Sequence, residues 1–567
     1  MNVMPQQDPE PRQPSSASRR RTDAAPPQDA GLRSDPDTSA DPPLAGATAV
    51  PPPPPTLRTS LRRAAVGAVA AGVLVAGAVV AVPDDENRAV PARPGPVERA
   101  EAAATAGAPA ALSDLTALIG DRQQWVEKHP ADAPSWAALG SAYVEWGRRA
   151  ADLSYYGRAE QALKRSLSVR PGERGNGAAW VGLASLANAR HDYLAAKKWG
   201  ETVRARAPKS WLPYPALIDA YRGLGDQAAA NKATETFAAL RKGAPALART
   251  AEMYRDQGWR EDALATAQET ADRAATPAER AAALHRLGDL AWERGEPEEA
   301  LAQYDAALRT DRAHHASLAG RARALVALDR ADEALAAYQT AVGQLPRPEY
   351  VLELAELYES LGLDGDATTQ YETFHALIEE AEANGVDESL LRARYESDHG
   401  DPEVAVELLR SEWAELRRGA EVADALGWAL YRAGEPQEAL TYAAKAVDSG
   451  LRSASFAYHL GAIERETGHY GPARRHLEQA LRTNPDFSPL DAPAAREALD
   501  ALGEPPSGGP KDMQPPPAPE PVAPATPAPE APAAPAKPKP VPPPATTSPA
   551  APGTAAKKPA EGTAPAR

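Results

Sequence analysis

From Leu284 to Pro346 the apolar positions recur at helical rather than strand spacing, and one two-helix pattern is written twice. In the first copy Leu284, Leu287, Gly288 and Ala291 lead through Gly295 to Ala300, Tyr304 and Ala307. In the second, Leu318, Ala322 and Leu325 lead to Ala334, Tyr338, Ala341 and Pro346. Ala300 to Ala334, Tyr304 to Tyr338 and Ala307 to Ala341 are each 34 residues, so the copies share one register. A fixed period of that size marks an array of stacked helix pairs.

The local chemistry of one copy agrees with its pattern. Thr276-Pro277-Ala278-Glu279 offers a capping hydroxyl, a proline where no N–H is needed and a glutamate that reaches back to the cap. Leu284, Leu287 and Ala291 then share one helix face, and Gly295 supplies a left-handed stop. Glu296-Pro297 opens a second helix. Gly288 and Ala300 are small where two antiparallel helices cross, while Leu301, Tyr304 and Leu308 supply bulk.

The small residue that opens the second helix recurs at Ala159, Ala196, Ala230, Ala263, Ala300, Ala334, Ala367, Ala405, Ala439 and Ala473. Prolines close several units, at Pro171, Pro208, Pro346 and Pro485. Trp136-Ala137-Ala138-Leu139-Gly140 with Tyr143, then Leu426-Gly427 and Leu460-Gly461, spell the first helix more fully. Residues 131–487 thereby resemble the tetratricopeptide repeat family, whose units are 34-residue helix-turn-helix pairs. The resemblance implies an all-α solenoid, a right-handed superhelix of about ten repeats that binds a protein or peptide in its concave groove.

Flanking segments complete the domain reading. Leu112 to His129 reads as a lone second helix capping the first repeat, and Pro489 to Leu502 as a C-terminal cap, so the solenoid spans 112–503. Extra residues at 147–157, 273–280 and 381–388 lengthen turns or helix ends and are expected to adjust the superhelical twist. Residues 1–63 are a Pro-, Asp- and Arg-rich tail with too few apolar residues for a core, and 504–567 is a Pro/Ala-rich tail of the same kind.

Ala64 to Val82 carries nineteen residues without one polar side chain, about 28 Å of helix against a hydrocarbon layer of roughly 30 Å. Arg58, Arg62 and Arg63 precede it and Asp84, Asp85 and Glu86 follow. The positive-inside rule then predicts a single-pass anchor, with the N-terminal tail cytoplasmic and the repeats outside. Arg62-Arg63 also resembles a twin-arginine export signal, with Val79-Val80-Ala81 as a cleavage site, which gives a secreted protein as the alternative. A 63-residue leader favours the uncleaved anchor. Residues 83–111 read as a flexible stalk.

Composition narrows the chemistry. The chain has 567 residues, 58 prolines, 4 phenylalanines and no cysteine, which excludes disulfides and thiolate metal sites. Its formal charge is −16 and the acidic excess falls on the repeats, which argues against nucleic acid as the ligand. There is no His-Glu-x-x-His pair, phosphate loop or serine elbow. His314-His315 and the set His459, His469 and His476 are expected at repeat surfaces or turns, without metal. No cofactor is expected and the chain reads as a non-enzyme, with an accessory subunit of an envelope enzyme as an alternative.

Projecting the register onto a concave groove selects Asp219, Glu252, Asp289 and Glu356 with Trp292, Trp428, Tyr431 and Tyr458, against basic Arg222, Arg255, Arg323 and Arg465. An acidic and aromatic groove suits a peptide with basic and apolar residues. Some tetratricopeptide relatives clamp a chaperone's terminal carboxylate with groove lysines. Here Ala137, Val181, Pro215, Ala248 and His285 occupy those positions, so that activity is not implied.

Overall fold

Alanine at the helix crossings sets the spacing of the whole array. In the computed structural model, which describes residues 94–171, 175–415 and 417–504, all ten of the recurring alanines from Ala159 to Ala473 are at most 3% exposed. Each lets a second helix close on its partner, and in the first, fifth, ninth and tenth pairs a glycine on the facing helix completes the fit. A Cβ on Gly140 would lie 2.6 Å from Leu163 Cγ, and one on Gly427 would lie 2.8 Å from the Ala443 nitrogen.

The described residues contain 23 α-helices and no strand. Two precede the repeats, α1 (Pro96–Ala106) and α2 (Leu112–Lys128). Ten antiparallel pairs follow: α3 (Ala133–Ala150) and α4 (Ser154–Val169), α5 (Gly177–Ala189) and α6 (Tyr193–Arg206), α7 (Tyr214–Gly223) and α8 (Gln227–Leu240), α9 (Ala244–Asp256) and α10 (Arg260–Arg273), α11 (Pro277–Glu293) and α12 (Pro297–Thr310). The series continues with α13 (His315–Ala327) and α14 (Ala331–Gln344), α15 (Pro348–Ser360) and α16 (Asp364–Ala383), α17 (Ser389–His399) and α18 (Pro402–Ala414), α19 (Ala420–Arg432) and α20 (Pro436–Asp448), and α21 (Ala454–Glu466) and α22 (Tyr470–Thr483). α23 (Asp491–Ala501) ends the series. The capping box expected at Thr276 and Glu279 is present.

The expected stalk at 83–111 is corrected by α1 from residue 96 on, and its residues 83–93 lie outside the described ones. Alanine-rich sequence without large apolar residues reads as linker, yet alanine has the highest helix propensity. Ala100 and Ala103 are buried, and Arg99 Nε donates to Asp114 Oδ2 at 2.9 Å. Gly107, at φ 74°, stops the helix. The tail 1–63, the apolar stretch 64–82 and the C-terminal tail beyond Glu504 lie outside the described residues. No described helix is long and apolar enough to cross a membrane.

The array winds back on itself. His191 Nδ1 lies 2.8 Å from the carbonyl of Asp387, and the Asp387 amide donates to the carbonyl of Arg190 at 3.1 Å. The Arg418 amide donates to the Leu224 carbonyl at 3.2 Å, Arg260 Nη2 to the Arg452 carbonyl at 3.2 Å, and Asn484 Nδ2 to the Trp292 carbonyl at 2.9 Å. The sequence separations of the His191, Arg260 and Asn484 contacts are 196, 192 and 192. Because both sides advance together, the near-constant offset is one full turn of the superhelix, a little more than five repeats. In every row the turn inside one repeat meets the loop between two later repeats.

Two of the sequence insertions build this seam. The end of the 381–388 insertion carries Asp387, which hydrogen-bonds His191, and Glu388. The 147–157 insertion lines a crevice with Pro346, Arg347, Pro348 and Glu349.

Candidate functional site: the inner face of the solenoid

The first helix of each pair carries the residues selected for the groove, and the structure joins them into a ladder of ion pairs. Arg249 of α9 grips Asp219 of α7 with Nη1 at 2.6 Å and Nη2 at 3.1 Å. Arg222 of α7 reaches Glu252 of α9 at 2.9 Å and Asp256 at 2.8 Å. Arg286 of α11 contacts Glu252 from the other side, so three guanidinium groups converge on one buried carboxylate. Arg255 pairs with Glu293 at 2.7 Å. Burial alone would push the Glu252 carboxyl up, but Arg286, Arg249 and Arg222 hold it well below the usual carboxylate range.

Farther along, the ladder changes from arginine to ring partners. Asp289 accepts from the Tyr304 hydroxyl at 2.8 Å and lies 3.3 Å from His285 Nε2. Glu353 accepts from the Tyr338 hydroxyl at 2.9 Å, with Arg323 at 3.5 Å. Glu356 of α15 lies 3.8 Å from His399 Nε2. Burial raises the carboxyls of Glu353 and Glu356. At His399 burial works downward, but the Glu356 and Glu359 carboxylates outweigh it and raise the imidazole.

Among the selected aromatics, Trp428 and Tyr458 are buried, and Trp292 and Tyr431 are half-buried. Trp428 stacks on His459 at 4.2 Å and 19°, and its Nε1 donates to Asp398 at 2.9 Å. Tyr431 and Tyr458 flank it at 5.1 and 5.6 Å. The structure therefore brings Trp428, Tyr431 and Tyr458 together as one cluster and leaves Trp292 apart from it, packed with Leu301 against Ala291 and Ala300. His459 sits 3.0 Å from both oxygens of Asp424. Burial would depress it, but that carboxylate raises it.

Of the acidic positions selected for the groove, Asp219, Glu252 and Asp289 already have partners within the chain. Arg249, Arg286 and His285 were missed as partners because the projection followed one helix position per repeat. The i, i+3 spacing of Arg249 to Glu252 and the 34-residue step from Glu252 to Arg286 carried the signal.

His314 sits at the turn before α13 as its N-cap residue, and His315 opens the helix. Their rings are nearly parallel, 11° apart at 6.4 Å, and His285 lies 5.2 Å from His314. Burial pushes His285 down to about 4 and His315 down to about 3. Among the described residues no group of His, Asp and Glu is placed to hold a metal.

Residues 281–314 match the tetratricopeptide repeat, the copy formed by α11 and α12. The chain therefore carries a tetratricopeptide repeat within its array of paired helices. Residues 75–176 match the bacterial transcriptional activator domain, a stretch whose described part runs from before α1 through α4. No curated protein matches the chain.

Solved structures similar to it include a thermophilic tetratricopeptide repeat protein from Thermus thermophilus, 24% identical, covering 33% of this chain and 98% of that one, with TM-score 0.28. A tetratricopeptide repeat protein from Parabacteroides merdae is 18% identical over 45% of this chain and 97% of its own, with TM-score 0.28. The human IFIT1 dimer with PPP-AAAA is 15% identical over 62% and 81%, with TM-score 0.38.

Proposed function

We propose that this chain is a non-catalytic scaffold that binds a protein or peptide segment along the inner face of its solenoid. Solenoids of this type generally mediate protein–protein interaction. The observation that supports the reading is the ladder itself: charged and aromatic side chains from consecutive first helices stand in one continuous row, from Asp219 to Tyr458. A buried ion ladder is not needed for stability, since apolar packing at the same positions serves as well or better. Its value is in pairing exchange, because a partner offering its own carboxylates or guanidinium groups replaces existing pairs without stranding a charge.

On the same proposal residues 64–82 anchor the chain in the cell membrane, with the N-terminus cytoplasmic and the repeats outside. The nineteen-residue apolar run and the arginines before it support that placement. The partner is then an envelope or secreted protein. The match of residues 75–176 to the bacterial transcriptional activator domain favours a second reading, a helical module serving a regulator.

Photocrosslinking tests the inner-face reading. A benzophenone amino acid replacing Tyr431, on a first helix, is compared with one replacing exposed Thr441, on a second helix. Partner adducts at 431 and not at 441 support it; equal adducts, or adducts at 441 alone, overturn it. Protease treatment of intact cells carrying a C-terminal tag separates the locations. Shaving of the tag from full-length, membrane-bound chain supports the anchor, and a protected tag on membrane-bound chain overturns it.

A further inference from the structure

Three turn glycines occupy one special place in the superhelix. Gly225, Gly258 and Gly295 end first helices at φ 73°, 73° and 71°, and each faces the neighbouring superhelical turn. A Cβ on Gly225 would lie 2.3 Å from the Gly419 nitrogen, one on Gly258 would lie 2.4 Å from the Gly450 oxygen, and one on Gly295 would lie 2.8 Å from Pro485 Cδ. Gly362, Gly434 and Gly468 occupy the equivalent turn position at φ 70°, 82° and 80°, and nothing lies within 4 Å of a Cβ there. The left-handed backbone asks for glycine at all six. Contact with the next turn is added only at the first three.

The same rows hold the inter-turn hydrogen bonds of Leu224, Arg260 and Trp292, and a fourth row adds Arg417. Its guanidinium reaches Asp387 at 2.7 Å and stacks over the Tyr193 ring at 5.0 Å. Across the seam connecting segments meet through one or two hydrogen bonds per row, whereas the helices that pack along their length are neighbours in the chain. The seam is therefore joined by fewer side-to-side contacts than the crossings within a repeat.

We propose that this seam is a latch governing access to the inner face: shut, it admits only a chain end along the superhelix axis; opened, it admits a folded partner from the side. The proposal rests on the inner-face reading for its biological use, but the latch has its own readout. The absence of cysteine in the chain makes site-specific labelling direct. Spin labels at Glu261→Cys and Ser449→Cys, both exposed and next to the Gly258–Gly450 row, report the seam in the full-length chain.

The chain as it stands is expected to give one short distance. Gly225→Ala/Gly258→Ala/Gly295→Ala is expected to lengthen and broaden it, while Gly362→Ala/Gly434→Ala/Gly468→Ala, with the same local strain, leaves it short. In a separate chain carrying only Arg148→Cys, on the last turn of α3 where the charges of Asp219 and Arg347 act, a small maleimide should react equally with or without the seam triple. A maleimide borne by a small folded protein should react about tenfold faster with the seam triple. An unchanged distance in the seam triple, equal lengthening in both triples, or equal reaction of the bulky reagent overturns the latch. Adducts at 441 instead of 431 overturn the inner-face reading alone.

Discussion

Asn484 donates from Nδ2 to the carbonyl of Trp292 at 2.9 Å, across 192 residues and one turn of the superhelix. Asn484 is 3% exposed, and its amide N–H also continues α22 by bonding the Ala480 carbonyl. The final repeat is thus tied to the fifth through a buried polar contact. Asn484→Leu removes the donor and leaves the Trp292 carbonyl without it, at a cost of about 1–3 kcal/mol. A fall in the unfolding midpoint, with faster amide exchange in α21 to α23 than in α11, is the expected result. Uniform exchange along the chain would show that the contact carries nothing between turns.

Glu252 is the position where removing one group should do most damage. Arg222, Arg249 and Arg286 all meet it; in Glu252→Ala the first two keep Asp256 and Asp219, while Arg286 loses the carboxylate it holds on the inner face. The expected loss is about 3–5 kcal/mol, read by urea denaturation. The carboxyl is depressed when folded, so its contribution is complete above the unfolded carboxylate range. It fades only as pH falls through the much lower folded value. The difference between Glu252→Gln and the unaltered chain should therefore hold constant from pH 8 to pH 5.

How much of this was legible in sequence can be judged at particular residues. Ala300, Tyr304 and Gly288 announced the helix crossing because packing there is repeated at fixed period, and periodicity is what a sequence displays best. α1 was not legible, since Ala100 and Ala103 pack by smallness and leave no large-apolar pattern. The partners of Asp219 and Glu252 were half legible. Arg249 lies one helical turn from Glu252, but its grip on Asp219 depends on how successive repeats are rotated. The seam was the least legible feature. Gly258 reads as an ordinary helix stop, and only the winding, summed over more than five repeats, brings Gly450 against it.

Glu388 is expected to reverse the usual direction of an acid's contribution. Burial and the neighbouring charge of Glu349 push its carboxyl up to about 7, with Arg347 opposing. A raised folded value means that stability is fully present below the unfolded value and is lost as pH rises toward 7. Glu388→Gln should therefore raise the unfolding midpoint at pH 8, by an amount on the order of 1–3 kcal/mol, and change nothing at pH 5. At pH 8 His191, 3.9 Å away and pushed down by burial, is neutral in both proteins and adds nothing to the difference there. Destabilisation at pH 8 would mean that the carboxylate is paired in solution rather than strained.

Tyr304 sits between two glycines on successive repeats, and this gives the sharpest test of crossing geometry. A Cβ on Gly288 would lie 2.5 Å from Tyr304 Cε1, and one on Gly320 equally 2.5 Å from it. The ring is fully buried and its hydroxyl is held by Asp289, so it cannot swing away. Gly288→Ala should cost about 1–3 kcal/mol through overpacking, despite alanine's better helix propensity. Gly157→Ala makes the opposite prediction. Gly157 lies within α4 with nothing within 4 Å of a Cβ, so alanine there should stabilise by about 0.5–1 kcal/mol. The two effects separate sterics from propensity on one chain. If Gly288→Ala were neutral or stabilising in thermal unfolding, the ring would have room to move, and the tight crossing at Tyr304 would not be what sets the angle between the fifth and sixth repeats.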